Sequence, residues 1–283
     1  MRTELDWTYS EAGWMNTINA GGYLIGALLA APLAHRFGLW RVLSAGLWLT
    51  VATIFATGAT RNFAWLSIWR FLTGISGALC FVTGGAISAT IATEEEENSG
   101  RVLALFYAGP GFGIALSGAF VPPLLDRFGS SAWPFAWVLP GVLACFPGAA
   151  SMIAGTKNQS PPLPQTENHS RFKISRNVSV LLGYAAFGAG YICYMTFMFA
   201  LLKQLGSTTL ELSAFWVMIG SAAMASPWLW ANVVSRMRHG NAIAFLIAVT
   251  LVGAAGPLIS PSFVVAMISA ATFGSPSLRS SPQ

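Results

Sequence analysis

Charge is what this sequence has least of. Lys, Arg, Asp and Glu together make up 9% of its 283 residues, against about 25% in soluble domains. So few charges cannot cover a water-facing surface, which excludes an ordinary soluble domain. The 15 basic residues outnumber the 10 acidic ones, but they stand singly between apolar segments, with no basic run and no nucleic-acid-binding motif. Nucleic acid is therefore not an expected partner. Cysteine is sparse as well. Cys80, Cys145 and Cys193 lie far apart inside apolar runs, make no Cys-x-x-Cys pair, and read as small buried hydrophobes. His35, His169 and His239 all fall in connections, and no His-Glu-x-x-His, paired-aspartate, Gly-x-Ser-x-Gly or Walker-type pattern is present. The expectation is no catalytic constellation, no metal site, no cofactor and no ATP-driven step.

Apolar residues are abundant, at 54% of the chain, with eleven Trp and 29 Gly. A hydrocarbon core of about 30 Å needs about 20 apolar residues in a helix. That length predicts spans near 11–34, 42–60, 64–92, 101–124, 132–154, 177–202, 211–234 and 241–259, with a ninth run, 262–274, that stops short. The fold class expected is an all-α polytopic membrane protein with about eight full spans and a partial ninth. Alternate connections divide the basic residues unevenly. Arg36, Arg41, Arg101, Lys157, Arg171, Lys173, Arg176, Arg236 and Arg238 lie on one side, and Arg2, Arg61, Arg70, Arg127 and Lys203 on the other. The positive-inside bias assigns the first set to the cytoplasm.

The longest connection, GTKNQSPPLPQTENHSRFKISR at 155–176, is polar and proline-bearing and reads as a cytoplasmic linker. It divides the chain into an N-terminal helical bundle, 1–154, and a C-terminal one, 177–283. The two echo one another. LDWTYSE (5–11) and LGSTTLE (205–211) share Leu-x-x-Thr-x-x-Glu, in which Thr8 or Thr208 caps a helix and Glu11 or Glu211 reaches back to the cap amide. Trp14 precedes Arg36-Phe37-Gly38 by the same distance as Trp216 precedes Arg238-His239-Gly240. Cap, tryptophan, span and basic glycine turn recur together at an offset of 200 to 202 residues. Subtracting that offset places a counterpart of span 177–202 ahead of Met1, and adding it places counterparts of spans 101–124 and 132–154 past residue 300. The expected parent architecture is six plus six helices, of which this chain carries helices two to nine and part of ten. The tail GSPSLRSSPQ reads as a frameshifted or truncated end.

A parallel pair of six-helix halves resembles the major facilitator superfamily, and particular residues carry the likeness. APLAHRFGLWR (31–41) is similar to its turn between helices two and three through Arg36, Gly38 and Arg41, with His35 standing where that turn has an acid. RFLTGISGA (70–78) resembles its fourth-helix pattern of an arginine followed by spaced glycines, through Arg70, Gly74 and Gly77. YAGPGFG (107–113) resembles its Gly-Pro motif of helix five through Gly109, Pro110 and Gly113. AGWMNTINAGGYLIGALLA (12–30) and FGAGYICYMTF (187–197) look like the YbfB/YjiJ-like branch. The resemblance implies two bundles related as parallel repeats. It also implies a conformational role for Arg36, Gly38, Arg41, Gly74, Arg238 and Gly240, and a bend with close helix contact at Gly109, Pro110 and Gly113.

Candidate recognition residues follow from depth and spacing. Arg70 lies about 12 Å along its span, counted at 1.5 Å per residue from Asn62, where an arginine usually faces a cavity or a partner. Snorkelling to the nearer interface is the competing reading. Asn16, Asn19 and Tyr23 share one helical face, as do Tyr184, Phe187, Tyr191 and Tyr194, with Thr196 adding a hydroxyl nearby. Such faces either glue helices together or line a cavity.

The function expected is secondary active transport of a small organic solute by alternating access across the bacterial inner membrane, as an antiporter or a symporter. Its partners would be the lipid bilayer and a small-molecule substrate, for which Arg70 favours an anionic group. A coupling proton is an open option, although no acidic residue lies deep in a span. The alternatives are a polytopic membrane enzyme acting on lipids, which would need a catalytic cluster that the sequence does not show, and a non-functional transporter fragment.

Overall fold

The computed structural model describes residues 1–2, 4–94, 98–157, 174–234, 237, 241–260 and 262–275. Nine α-helices account for most of them: α1 (Tyr9–Phe37), α2 (Leu39–Ala59), α3 (Phe63–Glu94), α4 (Ser99–Phe128), α5 (Phe135–Lys157), α6 (Ile174–Gln204), α7 (Thr209–Val234), α8 (Asn241–Ile259) and α9 (Phe263–Gly274). Among the described residues there is no strand. Seven of the helices are long and apolar enough to cross a membrane. The apolar described part of α8, Ala244–Ile259, and the whole of α9 are shorter. Each helix coincides with one of the nine apolar runs, so the chain is a multi-pass membrane protein. In lipid a helix satisfies its own backbone groups, and that leaves apolar length as the dominant signal.

The helix starts repeat in detail. Thr8 Oγ1 accepts from the Glu11 amide at 3.2 Å while the Glu11 carboxylate accepts from the Thr8 amide at 2.8 Å. Thr208 and Glu211 form the same box at 3.3 and 2.7 Å. Between α1 and α2 the chain reverses on Gly38 alone, whose φ of 86° is one that L side chains rarely adopt. Its amide donates to the Ala34 carbonyl, closing α1.

Two compact units are present. The first comprises Met1–Phe106 with Leu124–Leu163, and the second Tyr107–Pro123 with Pro164–Gln283. The middle of α4 therefore packs with the second unit, although the helix is continuous through Pro110, Pro122 and Pro123.

In the first unit α1 and α3 touch backbone to backbone. A Cβ added to Gly22 would strike the Phe71 carbonyl, one on Gly26 the backbone of Ile75, and one on Gly74 the Asn19 carbonyl. Lipid supplies no hydrophobic force between helices, so such close van der Waals contact is what holds them together. The α2 and α5 seam works through notches instead. Gly141, Gly148 and Gly155, seven residues apart on α5, receive the rings of Phe55 and Trp48 and the Cβ of Trp40 from antiparallel α2. Ser44 donates to Ser151 at 2.9 Å across the same seam.

In the second unit α7 lies between two close approaches. Gly111 and Gly118 of α4 meet Gly220, Met224 and Trp216 of α7, and Gly274 of α9 meets the Ile219 carbonyl. Tyr194, Met198, Phe215, Ile219, Ala270 and Phe273 form the core of this unit. Throughout both units Ser and Thr side chains bond carbonyls one turn back in their own helix. Thr53 to Leu49, Thr57 to Thr53, Thr83 to Leu79, Thr250 to Leu246 and Thr272 to Ile268 all lie between 2.6 and 2.9 Å.

Candidate functional site

Within the described helices one charge is out of place. Every other Lys, Arg, Asp or Glu in them stands within two residues of a helix end. Arg70 stands seven residues after Phe63, the start of α3, about 10 Å along the helix axis. The α3 backbone is pinned there, since Asn19 Nδ2 of α1 donates to the Arg70 carbonyl at 2.8 Å and Gly74, one turn on, touches Asn19. The guanidinium carbon lies 5.1 Å from the centre of the Trp137 ring on α5, inside the range of a cation–π contact. The described residues contain a single salt bridge, Arg61 to Glu4 at 3.5 Å, so among them no carboxylate neutralises Arg70.

An arginine at the centre of a membrane helix costs about 2.5–3.5 kcal/mol on insertion scales. Arg70 lies seven residues into the 32-residue α3 and not at its centre. A cation–π contact returns about 0.5–1 kcal/mol when exposed and about 2 when desolvated, so the Trp137 ring offsets part of the cost of Arg70.

The remaining candidates divide into those that face a seam and those that do not. Asn16 and Tyr23 are exposed on α1, while Asn19 between them turns to α3. Tyr194 is a core residue. Its hydroxyl is 2.7 Å from Ser269 Oγ and its ring stacks on Phe273 with centres 3.8 Å apart. Tyr191 also stacks on Phe273, with centres 5.1 Å apart, and is exposed. Thr196 is half-buried on the same helix. The side chain of Tyr184, and all of Arg238 and Gly240, lie outside the described residues, as do residues 158–173 of the linker. Arg36 and Arg41 are exposed at the Gly38 turn, with Arg36 lying 5.2 Å over the Phe37 ring.

Two expectations need correcting. Gly109 and Gly113 meet nothing within 4 Å, and the close contact of this motif is made by Gly111. The helix turns 100° per residue, so the glycine between two others faces elsewhere, and spacing alone did not say which one faces α7. The pairing of Trp14 with Trp216 is also displaced. Caps 8 and 208 and close contacts 19 and 219 share an offset of 200, which sets Trp14 opposite Ala214. Trp14 is 45% exposed, whereas Trp216 packs on Gly118. Sequence reasoning missed Trp137, and the available signal was a tryptophan near the start of α5, at the same end of the bundle as the start of α3.

Membrane-length helices with close glycine seams make this a polytopic membrane protein. The chain belongs to the family described as "Uncharacterised MFS-type transporter YbfB", which matches residues 1–281. It is 24% identical over 250 residues to the uncharacterized MFS-type transporter YceJ of Bacillus subtilis, covering 83% of this chain and 63% of that protein. It is 30% identical over 136 residues to the 4-hydroxybenzoate transporter PcaK of Acinetobacter baylyi, covering 47% of this chain and 28% of that one. The niacin transporter NiaP of the same organism is 29% identical over 147 residues, covering 50% of this chain and 31% of NiaP. The chain thus spans less than a third of the length of these two substrate-named relatives.

Proposed function

We propose that the chain serves a secondary transporter that moves a small organic solute bearing an anionic group across the bacterial cytoplasmic membrane by alternating access. Arg70 recognises the anion. The observation that carries this reading is the position of Arg70, the one charge in the described helices set away from a helix end and without a carboxylate beside it. Two relatives named for 4-hydroxybenzoate and niacin transport support a small organic substrate. The glycine seams suit the rocking that alternating access needs, because backbones in direct contact transmit a rigid-body motion without side-chain rearrangement.

The test is uptake of radiolabelled benzoate and nicotinate by proteoliposomes containing the protein. Arg70→Gln should reduce uptake of a transported anion at least tenfold with insertion unchanged. Uptake by Arg70→Gln equal to that of the parent would remove Arg70 from recognition and this reading with it.

A further inference from the structure

We infer that the Arg70 site is built for a singly charged organic carboxylate, and that Trp137 is the positioning residue that holds the guanidinium for it. The inference rests on the anion-recognition reading above and deepens it by assigning charge and chemical class.

Charge matching sets the valence. Arg70 is the one charge of the described helices set away from a helix end, and among the described residues no carboxylate is in ion-pair contact with it. A monoanion at the guanidinium gives a neutral pair. A dianion leaves one full negative charge without a countercharge at the guanidinium, which is unfavourable away from bulk water. Phosphate esters and dicarboxylates are thereby disfavoured and monocarboxylates favoured.

The ring contact sets the geometry. An aromatic face attracts the guanidinium through its quadrupole and uses none of the five N–H donors as a partner carboxylate would. Trp137 therefore restrains Arg70 and leaves its planar fork free to take a carboxylate through two parallel hydrogen bonds. The ring is itself fixed, packed against the cluster of Trp7, Met15, Leu66 and Trp133. Its Cβ also lies 3.4 Å from the position that a Cβ on Gly58 of α2 would take. The other end of Arg70 is fixed by the Asn19 bond to its carbonyl. Guanidinium and backbone are thus held from two different helices, α5 and α1, which opposes the snorkelling that a lone arginine would adopt.

The experiment measures equilibrium binding of radiolabelled benzoate to the full chain in nanodiscs. Unlabelled competitors are monomethyl phthalate, which is singly charged, phthalate, which is doubly charged at neutral pH, and benzamide, which is neutral. Benzoate and monomethyl phthalate should bind, phthalate at least tenfold more weakly than its monoester, and benzamide not detectably. Trp137→Leu should weaken benzoate about tenfold, and Trp137→Phe, which keeps a ring face, less than threefold. Phthalate competing as well as its monoester overturns the valence assignment. Trp137→Leu binding like the parent overturns the positioning role. The competitor series uses the unaltered protein, so it decides the valence even if Trp137→Leu fails to fold. Loss of binding in Arg70→Gln alongside either overturning result would sink the inference and leave the anion reading standing. Parent-like binding by Arg70→Gln, or no binding by the parent, would sink both.

Discussion

The seam between α1 and α3 and the seam between α7 and α9 are the same contact made twice. Gly74 touches the carbonyl of Asn19, and Gly274 touches the carbonyl of Ile219, each 200 residues later. The side chains around the two contacts differ. Arg70 of the first seam corresponds to Ala270 of the second, which is fully buried, and Asn19 corresponds to Ile219, which is 1% exposed. The second unit instead closes its core with the Tyr194–Ser269 hydrogen bond and stacked rings. A repeated backbone geometry thus carries a charged side chain in one copy and plain packing in the other. The helix contact that repeats is indifferent to the chemistry of its neighbours.

The largest effect should come from making the second seam resemble the first. Ala270→Arg places a charge where the structure gives it no partner, and we predict a loss of about 3 kcal/mol or more, read as thermal unfolding in nanodiscs. The reverse change, Arg70→Ala, should leave the unfolding temperature unchanged or raise it while abolishing anion binding. Equal tolerance of arginine at both positions would show that the seams do not differ as described.

Next in size are the glycines that define the shared contact. Gly74→Val and Gly274→Val each drive a side chain into the opposing backbone, and overpacking of this kind costs about 1–3 kcal/mol. The two losses should be similar, because the geometry is. Gly77, which meets nothing within 4 Å, is the control. Gly77→Ala should be neutral or stabilising by up to about 1 kcal/mol, the helix-propensity difference. A large loss at Gly77 with none at Gly74 would mean that α3 is rotated from the orientation described.

Smaller still is Tyr194→Phe, which removes the hydroxyl that links α6 to α9 in the second unit. Interhelical hydrogen bonds in membranes average about 0.6 kcal/mol, so a drop of that order is expected. Anion binding at Arg70 should be untouched, and a specific loss of binding would return Tyr194 to the recognition residues. Comparable effects, about 0.5–1 kcal/mol each, should come from Thr8→Ala and Thr208→Ala, which open equivalent capping boxes. Their unfolding temperatures should fall by matching amounts, and unequal shifts would mean that the two boxes do not bear equally on stability.

Much of this architecture is legible in the sequence, because in a bilayer the signals are local. Apolar length marks each span, Thr-x-x-Glu marks two starts, and a glycine between basic residues marks the Gly38 turn. Depth in a span also singles out Arg70. The rest depends on which way a helix faces, and neighbouring helices decide that. Gly109, Gly111 and Gly113 look alike in sequence, yet only Gly111 meets α7. Trp14 and Trp216 look equivalent by their distance to a basic turn, yet the caps and glycine contacts keep an offset of 200 and set them two residues apart. Trp137 gives no local sign that its ring meets Arg70, because that contact depends on a helix more than sixty residues away in the chain.

The hydroxyls that bond one turn back in their own helix have a consequence for how the chain reaches the membrane. Thr53, Thr57, Thr83, Thr250 and Thr272 satisfy their donors on carbonyls of the same helix. A newly made span leaving the translocation machinery therefore carries these polar groups already bonded, before any neighbour has been synthesised. These hydroxyls can wait in lipid at little polar cost. The order of assembly is then set by when the glycine surfaces find each other, and the seam joining α1 to α3 must stay open until α3 has emerged.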